Sequence, residues 1–166
     1  MTAASRSPAR LTITADAGRL AEGRAFVRAL AASVDADEET TSDLVQAVDE
    51  LACNVIEHGY RHAPGEIELE GWVDGAAIVV RLRDGAPPFD PRSVPEPRLD
   101  LPLAHRPFGG MGVHLARTLT DAMDHRILPG GGNEVTVTKR LRPAADEAAR
   151  EVQEGDDGHH DRATER

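Results

Sequence analysis

The sequence predicts an α+β fold, with helices laid on one face of a mixed or antiparallel sheet. Three observations carry that expectation. Alternating apolar runs come in pairs joined by short turns. Apolar residues recur at helical spacing in three separate stretches. The resulting order, β-α-α-β-β-loop-α-β-β, lacks the strand–helix alternation of a doubly wound sheet, and no Walker A sequence is present.

The elements follow in order. Residues 1–9 are small, polar and proline-containing, and are expected to be loose. Leu11-Thr12-Ile13-Thr14 alternates as a short strand. Leu20, Phe26, Val27 and Leu30 define a helix from about Gly18 to Ser33. Asp37-Glu38-Glu39 opens a second helix with acids at its positive end. Its buried stripe is Leu44, Val48, Leu51 and Val55, and it is expected to run to His58 and stop at Gly59. Glu66–Val73 and Ala77–Arg83 form a hairpin about Asp74-Gly75. Residues 84–111 are rich in proline and glycine, and a connection of that length reads as a functional lid or a disordered segment. Gly112–Met123 returns to helix. Asp124–Leu128 and Glu134–Leu141 are strands around Pro129-Gly130-Gly131-Gly132-Asn133. After Pro143 the chain lacks large apolar residues and is expected to be disordered.

Length and charge narrow the function classes. A chain of 166 residues supports one domain, here 10–142, with one core. Aromatics are 3%, so Leu, Val, Ile and Ala must build that core. The net charge is −10, and half of it lies in 143–166, where eight acids face three arginines. That balance opposes binding to a phosphate backbone, so direct nucleic-acid contact is not expected. No apolar run approaches the roughly 20 residues of a membrane span, and Met1–Arg10 lacks the apolar stretch of a signal peptide. Cys53 is the only cysteine and reads as a small core residue. A cytoplasmic location is the simplest expectation.

Three features bear on chemistry. Glu50, Asn54 and His58 are spaced at i+4 steps, so an unbroken α-helix lines them along one edge beside the apolar stripe. An asparagine oxygen is a suitable hard ligand for Mg²⁺, and a carboxylate one turn away can orient or deprotonate an attacking hydroxyl. The bland alternative is a solvated helix edge. Asp84 follows an apolar strand in Arg83-Asp84-Gly85-Ala86-Pro87-Pro88-Phe89-Asp90-Pro91, where it can accept from an exocyclic amine such as that of adenine, or simply build a rigid turn. Gly109-Gly110-Met111-Gly112 precedes a helix, where backbone N–H groups favour phosphate, although an ordinary hinge has the same composition.

Taken together and in order, these blocks resemble the anti-sigma regulatory factor serine/threonine kinases, the RsbW-like group of the GHKL ATPase superfamily with its Bergerat ATP-binding fold. The resemblance spans roughly 10–142. It rests on Asp49-Glu50-Leu51-Ala52-Cys53-Asn54-Val55-Ile56-Glu57-His58-Gly59-Tyr60, on Pro88-Phe89-Asp90-Pro91, on Gly109-Gly110-Met111-Gly112-Val113-His114-Leu115, and on Gly131-Gly132-Asn133 before Thr138-Lys139-Arg140-Leu141. It implies ATP and Mg²⁺ as cofactors, with Glu50 as catalytic acid, Asn54 on magnesium and Asp84 on the adenine amine. Gly110, Met111 and Gly112 would lie on the phosphate side. Ala86, His58, Arg106 and Asn133 would lie near the nucleotide. The implied partners are a STAS-domain anti-anti-sigma factor and an alternative sigma factor, and the implied assembly is a homodimer.

Two positions depart from the family pattern. Ala86 replaces the glycine of an Asp-x-Gly block, where its methyl is expected to crowd the base or restrict the backbone. Gly132-Asn133 replaces a frequent Gly-Thr pair. The competing readings are a partner-binding module that senses nucleotide or works without it, and a detached histidine-kinase catalytic domain. No phosphoacceptor helical pattern stands before residue 10 to support the last.

Overall fold

The computed structural model describes residues 7–97 and 111–142. The expected disordered tail at 143–166 and the candidates Arg106 and Gly110 lie outside these residues, as do positions 98–110 of the long connection. Strand β1 (Ala9–Thr14) leads through a 3-10 turn into α1 (Leu20–Ala32) and α2 (Glu38–Asn54). A π-helical turn, Val55–Gly59, extends α2. Strands β2 (Glu66–Asp74) and β3 (Ala77–Asp84) then form the hairpin, followed by a 3-10 turn at Pro91–Ser93. Helix α3 (Met111–Leu119), β4 (Ala122–Ile127) and β5 (Asn133–Arg140) complete the unit. The five strands are ordered β1-β2-β3-β5-β4, and every neighbouring pair is antiparallel. The α+β expectation therefore holds, with the sheet antiparallel throughout rather than mixed.

Strand alternation sorts the sheet into two faces. Ile13, Ile67, Leu69, Ile78, Val80, Leu82 and Val137 point to the helices and are at most 2% exposed. The α2 stripe meets them: Leu44, Val48 and Leu51 are buried, and Val55 is half-buried at the edge of the stripe. Each such side chain contributes about 1.5–3 kcal/mol of burial. Asp37 caps α2 by accepting the Thr40 N–H at 2.7 Å, with Glu38 and Glu39 in the first turn. Among the described residues, no helix is long and apolar enough to cross a membrane.

The opposite face carries alternating charge around a small apolar pair, Trp72 and Val79. Glu70 accepts from Arg10 and Arg81, each at 2.8 Å, while Glu134 accepts from Arg83 at 2.7 Å and from Arg126. Trp72, expected to be a packing residue, is half-buried beneath the Arg81 guanidinium, 4.7 Å from its ring centroid. Cys53 is half-buried at the margin of the core rather than within it, and burial followed by the nearby Asp49 carboxylate pushes its thiol pKa up.

Two boundaries differ from expectation. Helix α3 was expected to reach Met123 but ends at Leu119. The Thr118 and Thr120 hydroxyls donate to the His114 and Ala116 carbonyls, a local competition that weakens helix continuation. The Asp121 N–H then donates to Thr138 O at 2.9 Å, and Met123 pairs in register with Val137 as part of β4. The second difference is the π turn. Its wider winding, closed by Tyr60 N–H on Val55 O at 2.8 Å, breaks the straight α-helical row expected from Glu50 to His58.

Candidate functional site

Where α2 runs into the π turn, a cleft opens toward β3 and β5. Asn54 and Val55 line one wall, Asp84 and Ala86 the other, and Phe89 and Pro91 sit at its margin. Asn54 and Asp84, 30 positions apart in sequence, thus share one cavity. Asn54 lines the cleft, and among the described residues none hydrogen-bonds its side-chain amide.

Asp84 closes β3 and is 6% exposed. Its Oδ1 accepts the Ala86 N–H and the Asn133 amide N–H, both at 2.9 Å. Among the described residues no donor reaches Oδ2. Burial pushes the carboxyl pKa up, opposed first by the Asn133 hydrogen bond and then by that from Ala86. A carboxylate held by one oxygen in the lining of the cleft suits an exocyclic amine.

Gly132 permits this arrangement. It has φ +93°, and a Cβ there would collide with the Asp84 carbonyl oxygen, so glycine lets β5 begin directly against the end of β3. Asn133 then enters the cleft wall, but its amide is occupied by protein. Nδ2 donates to Asp84, and also reaches Ala86 O at 3.3 Å and Pro87 O at 3.2 Å. Oδ1 accepts the Phe89 N–H at 2.8 Å. Asn133 therefore braces the wall rather than offering a free polar group to a nucleotide.

Ala86 does not strain the backbone. Among the described non-glycine residues only Asp35, Arg61 and His62 have positive φ. The Ala86 methyl is 2% exposed and packs toward Gly59, where an added Cβ would come within 2.9 Å of it. The methyl expected to restrict the chain is thus housed by a glycine of the π turn.

The remaining candidates fall around the cleft rather than on its lining. Glu50 stands one helical turn before Asn54, roughly 5–6 Å away between Cβ atoms. It is half-buried against the first turn of α3, where Gly112 leaves room for its carboxylate: a Cβ on Gly112 would collide with Glu50 Oε2. Met111 is 47% exposed at the start of α3. His58 is exposed and off the cleft, because the π turn swings it toward solvent and brings Gly59 to the wall instead.

The order of these parts can be compared with known proteins. The family model for the histidine kinase-like ATPase domain matches residues 13–139. The anti-sigma F factor of Thermoanaerobacter pseudethanolicus is 31% identical over 119 residues, covering 71% of this chain and 82% of that protein. The chain belongs to the RsbW-like anti-sigma-factor family of GHKL ATPase domains. The serine-protein kinase RsbW of Bacillus cereus strain ATCC 10987 is 28% identical over 104 residues, 60% of this chain and 64% of that relative. The crystal structure of the RsbU and RsbW domains of Rv1364c from Mycobacterium tuberculosis superposes with a TM-score of 0.58 at 24% identity, over 84% of this chain and 34% of that one. That likeness shows the shared fold.

Sequence reasoning missed two residues that shape this RsbW-like site. Tyr60 pins the exit of β3: its hydroxyl accepts the Gly85 N–H at 2.7 Å and donates to Glu66 O at 2.9 Å. His125, on β4, reaches Asn133 Oδ1 at 3.2 Å. A signal for His125 was present. Met123 and His125 share one face of β4, between Asp124 and Arg126 on the other, so a polar residue points inward in that alternation.

Proposed function

We propose that the cleft binds Mg·ATP and that the chain transfers the γ-phosphoryl group to a serine or threonine of an antagonist protein. The observation that carries this reading is the one cavity lined by both Asn54 and Asp84. Asp84 would receive the adenine amine. Asn54, whose amide oxygen is a hard donor, fits a hard divalent ion and would hold magnesium. When bound, that ion supplies charge neutralisation for the phosphates. Glu50 would orient or accept the proton of the incoming hydroxyl. Its place against α3, next to the segment that carries Gly110 and Arg106, would set it on the phosphate side, with Met111 and Gly112.

The names of the relatives support the choice of partners: a STAS-domain anti-anti-sigma factor as phosphoacceptor and an alternative sigma factor as the protein sequestered. A homodimer and a cytoplasmic location complete the reading. The rival, a partner-binding module working without nucleotide, drew its support from Ala86. The ordinary backbone of that residue and the space at Gly59 weigh against the backbone part of that argument, while Ala86 stays in the cleft lining.

The test is phosphotransfer from γ-labelled ATP to a STAS-domain antagonist. Glu50→Gln is expected to bind Mg·ATP like the parent protein and to lower transfer at least about a hundredfold, the usual scale for loss of a positioned acid or base. Undiminished transfer by the variant would overturn the assignment of Glu50. Absence of transfer by the parent, with nucleotide binding intact, would favour the nucleotide-sensing module.

A further inference from the structure

A polar chain runs from Asp90 and His125, which do not line the cleft, to Asn133 and Asp84, which do. His125 is the inner link. Its side chain is 3% exposed, and its Nε2 lies 3.2 Å from Asn133 Oδ1 while its Nδ1 lies 3.7 Å from Asp90 Oδ1. The donor pattern is fixed by chemistry. The Phe89 N–H can only donate, so the Asn133 atom facing it is oxygen. The Ala86 and Pro87 carbonyls can only accept, so the other Asn133 atom is nitrogen. Asn133 Oδ1 being an acceptor, His125 Nε2 must carry a proton toward it.

Each link has an anchor. Asp90 is held by Arg92, whose Nη2 donates at 2.9 Å, and also accepts the Arg92 backbone N–H at 2.9 Å. Asn133 is held by the main chain on both sides. Among the described residues, Asp84 at the cleft end receives the Asn133 and Ala86 donors on Oδ1. The Asp84 carboxyl can rotate about its Cβ–Cγ bond, and the Asn133 hydrogen bond is the side-chain contact that limits this rotation. Rotation decides whether Oδ2 faces the cleft.

We infer that His125 is a positioning residue for base recognition, acting through Asn133 to aim the Asp84 carboxylate at the exocyclic amine of a purine nucleotide, an assignment that rests on the cleft receiving ATP. The asparagine amide of Asn133 donates and accepts at separate atoms, so it can pass an orientation from β4 to β3.

The test compares ATP with inosine triphosphate, which carries a carbonyl in place of the exocyclic amine, by calorimetry with Mg²⁺. The parent protein is expected to prefer ATP. His125→Leu fills the space without donating, and is expected to weaken ATP about tenfold, the scale of one hydrogen bond to a charged group. Inosine triphosphate should change less than about twofold, so the preference collapses. His125→Gln can place an amide donor near the Nε2 position and should restore it. A second readout needs no ligand: carboxyl NMR titration should show the Asp84 pKa higher in His125→Leu than in His125→Gln, two uncharged side chains of which only the second donates, as the Asn133 donation loosens. Equal losses for both nucleotides, or the same Asp84 titration in the two variants, would reduce His125 to packing and overturn the inference. If the parent prefers ATP and His125→Leu keeps that preference, the inference fails while the nucleotide reading stands. If the parent binds neither nucleotide, both fail.

Discussion

In its proposed role Asp84 meets two opposed demands. Its burial disfavours the charged form, while recognition of an amine would need an open carboxylate oxygen. Because its folded pKa is raised, the stability it allows is present below the ordinary value of 3.8 and is lost as pH rises through the folded value. Asp84→Asn keeps an Oδ1 acceptor for Ala86 and Asn133 but does not titrate. The variant is expected to melt at the same or a higher temperature than the parent at neutral pH, while losing at least about tenfold in ATP affinity. Thermal melts at pH 3.5 and pH 7.5 check the sign, since the advantage of the variant should be smaller at the lower pH.

At this scale the sequence spoke unevenly. Asp84 and Asn54 were legible because each ends or follows a strongly patterned element. The roles of Asn133 and His125 were not, because their partners come from three separate chain segments that only the tertiary fold brings together.

The π turn after α2 decides which side chains reach the cleft. A straight α-helix would have kept His58 on the same edge as Asn54; the wider turn exposes His58 and places Gly59 opposite Ala86. Gly59→Ala should therefore cost about 1–3 kcal/mol, the range for overpacking a tight contact. Adding Ala86→Gly in the same chain should recover more than half of that loss, a coupling expected only of residues in contact. Denaturant unfolding of the two single variants and the double variant measures it; additive losses would place the two residues out of contact.

The hairpin β2–β3 and the start of α2 were readable because Asp74-Gly75 and Asp37-Glu38-Glu39 are local signals. The π turn was not, since apolar spacing looks alike for both helix types across one turn. The end of α3 was misjudged for a related reason: Met123 continues a helical series by spacing, yet it is claimed by pairing with β5.

For the molecule as a whole, the sheet divides the work. One face supplies the core and the cleft wall, and the other holds alternating charges around a small apolar pair. Glu134 is held at a pKa of about 2 against an ordinary 4.5, first by its hydrogen bond from Arg126 and then by that from Arg83. Glu70 is lowered mainly by Arg10. Depressed carboxyl values mean that their stabilisation is present above about 4.5 and disappears as pH falls toward about 2. Melting temperature should fall through that window, and Glu134→Gln should flatten part of the fall while lowering stability at neutral pH. A slope unchanged by the substitution would assign acid sensitivity to other groups.

The central claim is one nucleotide cleft walled by the helical layer on one side and the sheet on the other. Calorimetric titration of Mg·ATP into the parent protein and into Asp84→Asn tests it most directly. The expected result is saturable binding at one nucleotide per chain in the parent, with the heat largely lost in the variant. No binding by the parent, or the same affinity in both proteins, would contradict it.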